Sequence, residues 1–192
     1  MLQISAAAEL DIQNLLTAYE HESNTQARYT DYAAKADEEG LHGIASLFRA
    51  AARAEHILAA NHARVMKQLG EEAWFHLHPA EVKSTLENLK TALAGEQHEI
   101  DTMYPGFAQD AQIHRNTFVL RTFTGAIEAE RTHARLYRAA IAAVEAGKPS
   151  SWIWTEREFY VCPVCAYTTE IEEEQENCPV CNATWERFEI IR

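Results

Sequence analysis

The 192-residue sequence predicts an all-α fold, a four-helix bundle over most of its length, followed by a small β-rich metal-binding module. Three observations carry this prediction. Up to about Gly147 the chain is built from Ala, Leu, Glu, Arg and Gln with few breakers, which is helix chemistry. Apolar residues recur there at the 4-3-4-3 spacing of buried helix faces. All four Cys lie between Cys162 and Cys181, where the texture changes to Trp152, Trp154, Phe159 and Tyr160 with turn signals. The expected division is therefore a helical domain over 1–147 and a second domain over 148–192.

The helices follow in order. Gly40 to Gly43 marks a turn, Gly70 to Pro79 a longer crossover, and Gly147 with Pro149 a helix stop. Two long helices thus run to about Leu69, and two more to about Ala146. The first carries the stripe Leu15, Tyr19, Glu22, Gln26, Tyr29, Ala33, and the second Ile44, Phe48, Ala51, Glu55, Leu58, His62, Val65, Leu69. The third carries Val82, Leu86, Leu89, Leu93, Glu96, Ile100, Met103, and the fourth Phe123, Ile127, Glu130, Ala134, Tyr137, Ile141. Each stripe has a glutamate near its middle, where a plain bundle would be apolar. Glu22 and Glu55 are 33 residues apart and Glu96 and Glu130 34, so each helix pair brings its glutamates to about the same height.

An unpaired carboxylate in an apolar interior costs several kcal/mol or more. Glu22, Glu55, Glu96 and Glu130, with Glu99 one turn after Glu96, put five of them in one small volume. Two divalent metal ions would nearly neutralise that charge. His133 adds an imidazole at the Glu130-x-x-His133 spacing, where i and i+3 share a helix face. Oxygen-rich sites with a few imidazoles suit iron or manganese. The second helix has Leu58 where a matching Glu55-x-x-His would place its histidine, and an alkyl side chain cannot ligate. His56 is one residue off the stripe, on the surface or flank. His62 lies two turns from Glu55, roughly 10 Å along the axis, and reads as a hydrogen-bonded interior or boundary histidine, with ligation as the alternative. Tyr29 and Tyr104 lie within one or two turns of Glu22 and Glu96 respectively, placed to hydrogen-bond ligand carboxylates from just outside the metals.

Cys162-Pro163-Val164-Cys165 and Cys178-Pro179-Val180-Cys181 form two Cys-x2-Cys knuckles separated by twelve residues. Such pairs close a tetrahedral tetrathiolate site for zinc or a single iron. A module of about 40 residues buries too little surface to stand alone, so its metal is part of its folding energy. Spacing does not choose between the two metals; the neighbouring dimetal site favours iron. The Glu170, Glu172, Glu173, Glu174, Glu176 run reads as a solvated loop.

Composition excludes other classes. With 17 basic against 29 acidic residues and a net charge of -12, the surface has no Lys/Arg footprint, so no nucleic acid and no anionic membrane are expected as partners. No segment approaches the ~20 apolar residues of a membrane span, and no export signal is read, so a cytoplasmic location is expected.

The residues Glu22-Ser23 with Gln26-Ala27-Arg28-Tyr29-Thr30, Ala94-Gly95-Glu96-Gln97-His98-Glu99 leading to Met103-Tyr104-Pro105, Glu128-Ala129-Glu130-Arg131-Thr132-His133, and the spaced Cys pairs make the chain resemble a rubrerythrin over essentially its whole length. The resemblance implies a ferritin-like di-iron bundle fused to a rubredoxin-like domain. It implies Glu22, Glu55, Glu96, Glu99, Glu130 and His133 as ligands of two iron ions, and Cys162, Cys165, Cys178 and Cys181 as ligands of a third, with zinc as the alternative. The implied activity is reduction of hydrogen peroxide to water in oxidative stress defence, with electrons relayed through the rubredoxin-like centre. They would come from NAD(P)H by way of a separate reductase or rubredoxin. A homodimer is implied, in which the small domain of one subunit sits near the di-iron site of the other.

Two departures from the family pattern stand out. Leu58 occupies the position of a histidine that in the family exchanges with the carboxylate matching Glu99 when one iron is reduced; its absence implies that Glu99 stays bound or that this iron is held more weakly. A ferroxidase- or oxidase-like protein without efficient peroxidase turnover is accordingly the alternative function, and a zinc-ribbon interaction protein a third. Ala166 and Asn182 stand where rubredoxin knuckles commonly have glycine, which bears on backbone strain.

Overall fold

The computed structural model describes residues 6–147, 151–170 and 176–192. The helix stop expected at Pro149 and the acidic residues Glu172, Glu173 and Glu174 lie outside them.

Helices α1 (Ala6–Glu38) and α2 (His42–Gln68) form a hairpin. Gly40, at φ 74°, takes the left-handed conformation that ends α1, and Leu41 N–H returns to the Ala36 carbonyl at 2.8 Å. Leu15, Ala18 and Tyr29 of α1 bury with Ile44, Phe48, Ala51 and Leu58 of α2. The crossover has no regular structure and runs beside α1, which supplies its backbone partners. The Asn24 side chain donates to the His76 carbonyl at 2.9 Å and accepts from His78 N–H at 2.7 Å, while Phe75 packs edge-on against Tyr19 at 5.8 Å.

The third helix differs from the expected regular stripe. It starts at Thr85, behind a capping box in which Ser84 and Glu87 exchange hydrogen bonds. Val82, expected on the stripe, precedes it and is 41% exposed. The helix is then broken into α3 (Thr85–His98), a π-helical turn (Glu99–Met103) and α4 (Tyr104–Ile113). Pro105 has no N–H to continue the α ladder, and the wider turn absorbs one extra residue. Along it Leu89, Ala92, Glu96, Glu99 and Tyr104 are buried, whereas Leu86, Leu93, Ile100 and Met103 are half-buried. The last bundle helix, α5 (Thr117–Glu145), is capped by Asn116, whose side chain accepts from Val119 N–H at 3.3 Å.

Aromatic residues seven positions from the glutamates, or eight for Tyr104 beyond the π turn, bracket them along the bundle axis, about 10 Å to each side. Tyr29, Phe48 and Tyr137 pack at one end with centroids 5.6 to 5.8 Å apart. His62, Tyr104 and Phe123 pack at the other, 5.6 to 5.9 Å apart.

After the short α6 (Ser151–Trp154), strands β1 (Phe159–Val161), β2 (Thr168–Thr169) and β3 (Glu189–Ile191) form an antiparallel sheet in the order β2-β1-β3, with Tyr160 paired to Thr169 and Ile190. Phe159 and Val161 are fully buried and continue the bundle core, while three of the cysteines form a separate cluster. Arg53 of α2 grips the Glu189 carboxylate with two nitrogens at 2.5 and 2.7 Å, and Asn61 donates to the Val164 carbonyl at 2.9 Å. Among the described residues no helix is long and apolar enough to cross a membrane.

Candidate metal centres

Glu22, Glu55, Glu96, Glu130 and His133 are fully buried, and Glu99 is 1% exposed. They fall into two groups whose ligand atoms lie within 4.8 Å of one another: Glu55, Glu96, Glu130 and His133 in one, His21, Glu22 and Glu99 in the other. In the first, His133 Nδ1 is 2.8 Å from Glu130 Oε2 and 3.5 Å from both Glu55 Oε1 and Glu96 Oε2. In the second, His21 Nε2 is 2.6 Å from Glu99 Oε1.

A ring of hydrogen bonds aims these carboxylates. Tyr29 OH donates to Glu96 Oε1 at 2.7 Å, and Tyr104 OH donates to Glu22 Oε1. His62 lies outside both groups; its Nε2 is 3.1 Å from Tyr104 OH and its Nδ1 3.1 Å from Thr122 Oγ1. Because Tyr104 uses its proton on Glu22, His62 is assigned as donor through Nε2 and acceptor through Nδ1. Burial lowers its pKa to about 3, so it is neutral. His56 is exposed.

Without cations the site is electrostatically frustrated. Burial and then the charge of Glu99 raise the Glu22 pKa to about 8. Glu55 and Glu130 are pushed well above the ordinary carboxylate range, by burial first and then by Glu22 and Glu55 respectively. Glu99 is raised by burial and by the charge of Glu96. Glu96 alone moves down, since the hydrogen bond and charge of His133 outweigh its burial.

The residues fit a pair of metal ions. Six buried carboxylate oxygens, Glu22 Oε2, Glu55 Oε1 and Oε2, Glu96 Oε2, Glu99 Oε2 and Glu130 Oε1, have no hydrogen-bond partner. Buried polar atoms are rarely left so, and here they converge from four helices on a volume that cations would fill.

In the small module the knuckles bring Cys162 Sγ to 3.5 Å from Cys181 Sγ, and Cys165 Sγ to 3.5 Å from Cys178 Sγ. Metal–sulfur bonds of about 2.3 Å give a tetrahedral S···S edge of about 3.8 Å, so the four thiols are set for one tetrahedral ion. The hydrogen bond with Cys165 lowers the Cys162 thiol to about 5, while burial raises Cys181 to about 11. Each knuckle turns at a left-handed residue, Ala166 at φ 66° and Asn182 at φ 61°.

The two centres touch within one chain. His133 uses Nδ1 toward the carboxylates, and its Nε2 lies 3.2 Å from Thr168 Oγ1. Thr168 Oγ1 in turn donates to the carbonyl of Ala166 at 2.9 Å, the residue after Cys165. Thr132, beside His133, accepts from Thr168 N–H at 3.3 Å. Within the one chain, its own module makes this contact.

Comparison with known proteins decides the lineage. The family profile described as Rubrerythrin matches residues 13–141, and the one described as Rubrerythrin, rubredoxin-like domain matches residues 160–189. The chain belongs to the rubrerythrin family. Rubrerythrin-2 of Clostridium acetobutylicum is 33% identical, covering 92% of this chain and 94% of that protein. A structure described as the fully reduced, all-ferrous state of nigerythrin superposes with a TM-score of 0.83 at 31% identity, covering 98% of this chain and 88% of that one. The ferritin-like bundle also appears in bacterioferritin of Rhodobacter capsulatus, at a TM-score of 0.69, 16% identity, and coverage of 89% and 100%; that likeness concerns the fold alone. As a rubrerythrin the chain is a di-iron oxidoreductase with a rubredoxin-like tetracysteine iron centre.

Sequence reasoning overlooked two residues. His21 sits one position before Glu22, off the stripe, and its signal was adjacency to a core glutamate on the helix opposite Leu58. Thr168 carried no signal, because its place beside His133 depends on how the module docks.

Proposed function

We propose that this rubrerythrin is a peroxidase that reduces hydrogen peroxide to water, with reducing equivalents drawn from NAD(P)H through a separate reductase or rubredoxin. In this reading Glu22, Glu55, Glu96, Glu99, Glu130 and His133 hold two irons, and Cys162, Cys165, Cys178 and Cys181 hold one. The observation that carries the reading is the run of contacts from His133 through Thr168 to the backbone beside Cys165, a short route between a buried carboxylate site and a tetrathiolate. When bound, the iron pair held by the carboxylates and His133 would supply two electrons to the O–O bond, which with two protons yields two waters, and the tetrathiolate iron would return electrons one at a time from the external donor. The protein's part is to neutralise, orient and protonate. The aromatic clusters at either end keep bulk water from the carboxylates, and the run Thr122, His62, Tyr104, Glu22 holds a proton at the Glu22 carboxylate. A homodimer belongs to the proposal and rests on the chain's membership of the rubrerythrin family.

Oxidase or ferroxidase chemistry is the second reading. It is favoured by Leu58, buried and apolar at the position three after Glu55. Anaerobic reduction followed by addition of peroxide or oxygen, with thiolate-to-iron absorption followed in stopped flow, separates the two. Reoxidation of the tetrathiolate iron faster with peroxide than with oxygen is expected of a peroxidase. The reverse order overturns it in favour of the oxidase.

A further inference from the structure

The two groups of ligand atoms, one with three carboxylates and one with two, draw their nitrogens from different helices. Glu55, Glu96 and Glu130 gather around His133 of α5. Glu22 and Glu99 gather around His21, from α1. Helix α2 offers this second group no nitrogen, since Leu58 is an alkyl side chain, 2% exposed, and His62 is engaged by Tyr104 and Thr122. His21 enters from the rim with 32% of its side chain exposed and presents Nε2 inward, 2.6 Å from Glu99 Oε1. The other oxygens of Glu22 and Glu99, Oε2 in both, are buried and unpartnered. An inward imidazole nitrogen beside two orphaned carboxylate oxygens is a donor set for one divalent ion.

We propose that His21 is a metal ligand of this protein, the nitrogen donor to the ion held by Glu22 and Glu99. Each metal position then has one imidazole, His133 from α5 for the first and His21 from α1 for the second. The inference needs the dimetal site but not peroxide turnover. It makes the edge of the site near α1 the place where one ligand can swing between metal and solvent, because His21 is the half-exposed member of an otherwise sealed set.

Zinc, which is diamagnetic and accepts carboxylate and imidazole ligands, tests this on the full chain. The protein is labelled with ¹⁵N in its nine histidines and titrated with zinc while the ring-nitrogen resonances are followed. Two rings are expected to move to the metal-bound position, and His21→Gln should leave one. That variant should also bind the second of the two carboxylate-held ions at least about tenfold more weakly, and His21→Gln with Leu58→His should recover both affinity and the second metal-bound ring. If only one ring in the unmodified chain becomes metal-bound, His21 merely hydrogen-bonds Glu99 and the proposal is overturned; this reading requires no variant to fold. Binding of fewer than two zinc ions beyond the thiolate-held one overturns the dimetal site itself, and the His21 assignment with it.

Discussion

Removing the metals should make this protein lose stability as pH rises, over a range where most proteins are indifferent. The ordinary carboxylate pKa of 4.5 is that of Glu22 in the unfolded chain, and burial raises it to about 8 in the fold. Below the lower value both states hold the proton and the group is neutral to stability. Between the two values the unfolded chain alone releases it, so stability falls by about 1.4 kcal/mol per pH unit and levels off only above the folded value. His21 acts in the same direction: burial opposes its protonation, but Glu99 and Glu22 outweigh this and raise it from 6.5 to about 9. Its stabilisation is complete below pH 6.5 and is lost as pH rises through 9. His62, lowered to about 3, costs stability only below its unfolded 6.5, so a window from pH 6.5 to 8 excludes it. Over that window Glu22 alone accounts for about 2 kcal/mol, which for a chain of this size is a fall in Tm of about 4 to 8 °C. Helix ellipticity during heating of chelator-stripped protein reads this directly. Reloaded protein should lose the slope, because bound ligands are deprotonated already. A metal-free Tm that is level or rising from pH 6.5 to 8 would refute the account of the site as a cluster of carboxylates held apart by cations.

Further outcomes follow from local geometry. Ala166→Gly should stabilise the small module by about 1 kcal/mol, since it relieves a left-handed alanine, and should slow loss of the tetrathiolate metal to chelator; Asn182→Gly should change it less. Tyr29→Phe leaves Glu96 Oε1 buried without its donor, so the metal-free bundle should lose about 1 to 3 kcal/mol in denaturant titration. Thr168→Val removes the hydroxyl between His133 Nε2 and the Ala166 carbonyl, and should slow tetrathiolate reoxidation by peroxide while leaving metal content unchanged by elemental analysis. Arg53→Ala breaks a half-exposed ion pair with Glu189 and should cost no more than about 1 kcal/mol of thermal stability.

The bundle was legible because its message is written twice, in the apolar period and in the glutamates that violate it. Phe48, Glu55 and His62 stand at intervals of one heptad on α2, as do Phe123, Glu130 and Tyr137 on α5, so spacing alone put aromatic residues at the ends and carboxylates between. The third helix was less legible, since a 3.6-residue period cannot register a π turn; Ile100 and Met103, within that turn, looked like core and are half-buried. His21 was missed for a related reason. A stripe reading weighs only positions pointing straight inward, whereas a long side chain on the flank can reach the same volume. The docking of the small module, and with it Thr168, rests on contacts between residues more than a hundred positions apart, such as Arg53 with Glu189, which no local pattern encodes.

The π turn over Glu99–Met103 also works as a phase shifter. Up to its first residue the angular position of the third helix is fixed by what Glu96 and Glu99 must reach, and beyond its last by what Tyr104 must reach. One residue of slack lets the two halves be indexed independently. Wound as a plain α-helix, the same sequence would put Tyr104, eight positions after Glu96, about 80° off the face of that glutamate, turning its hydroxyl away from Glu22 and breaking the run to His62. The irregularity in this helix is thus a timing element, and the same sequence wound as a regular helix would serve the site worse.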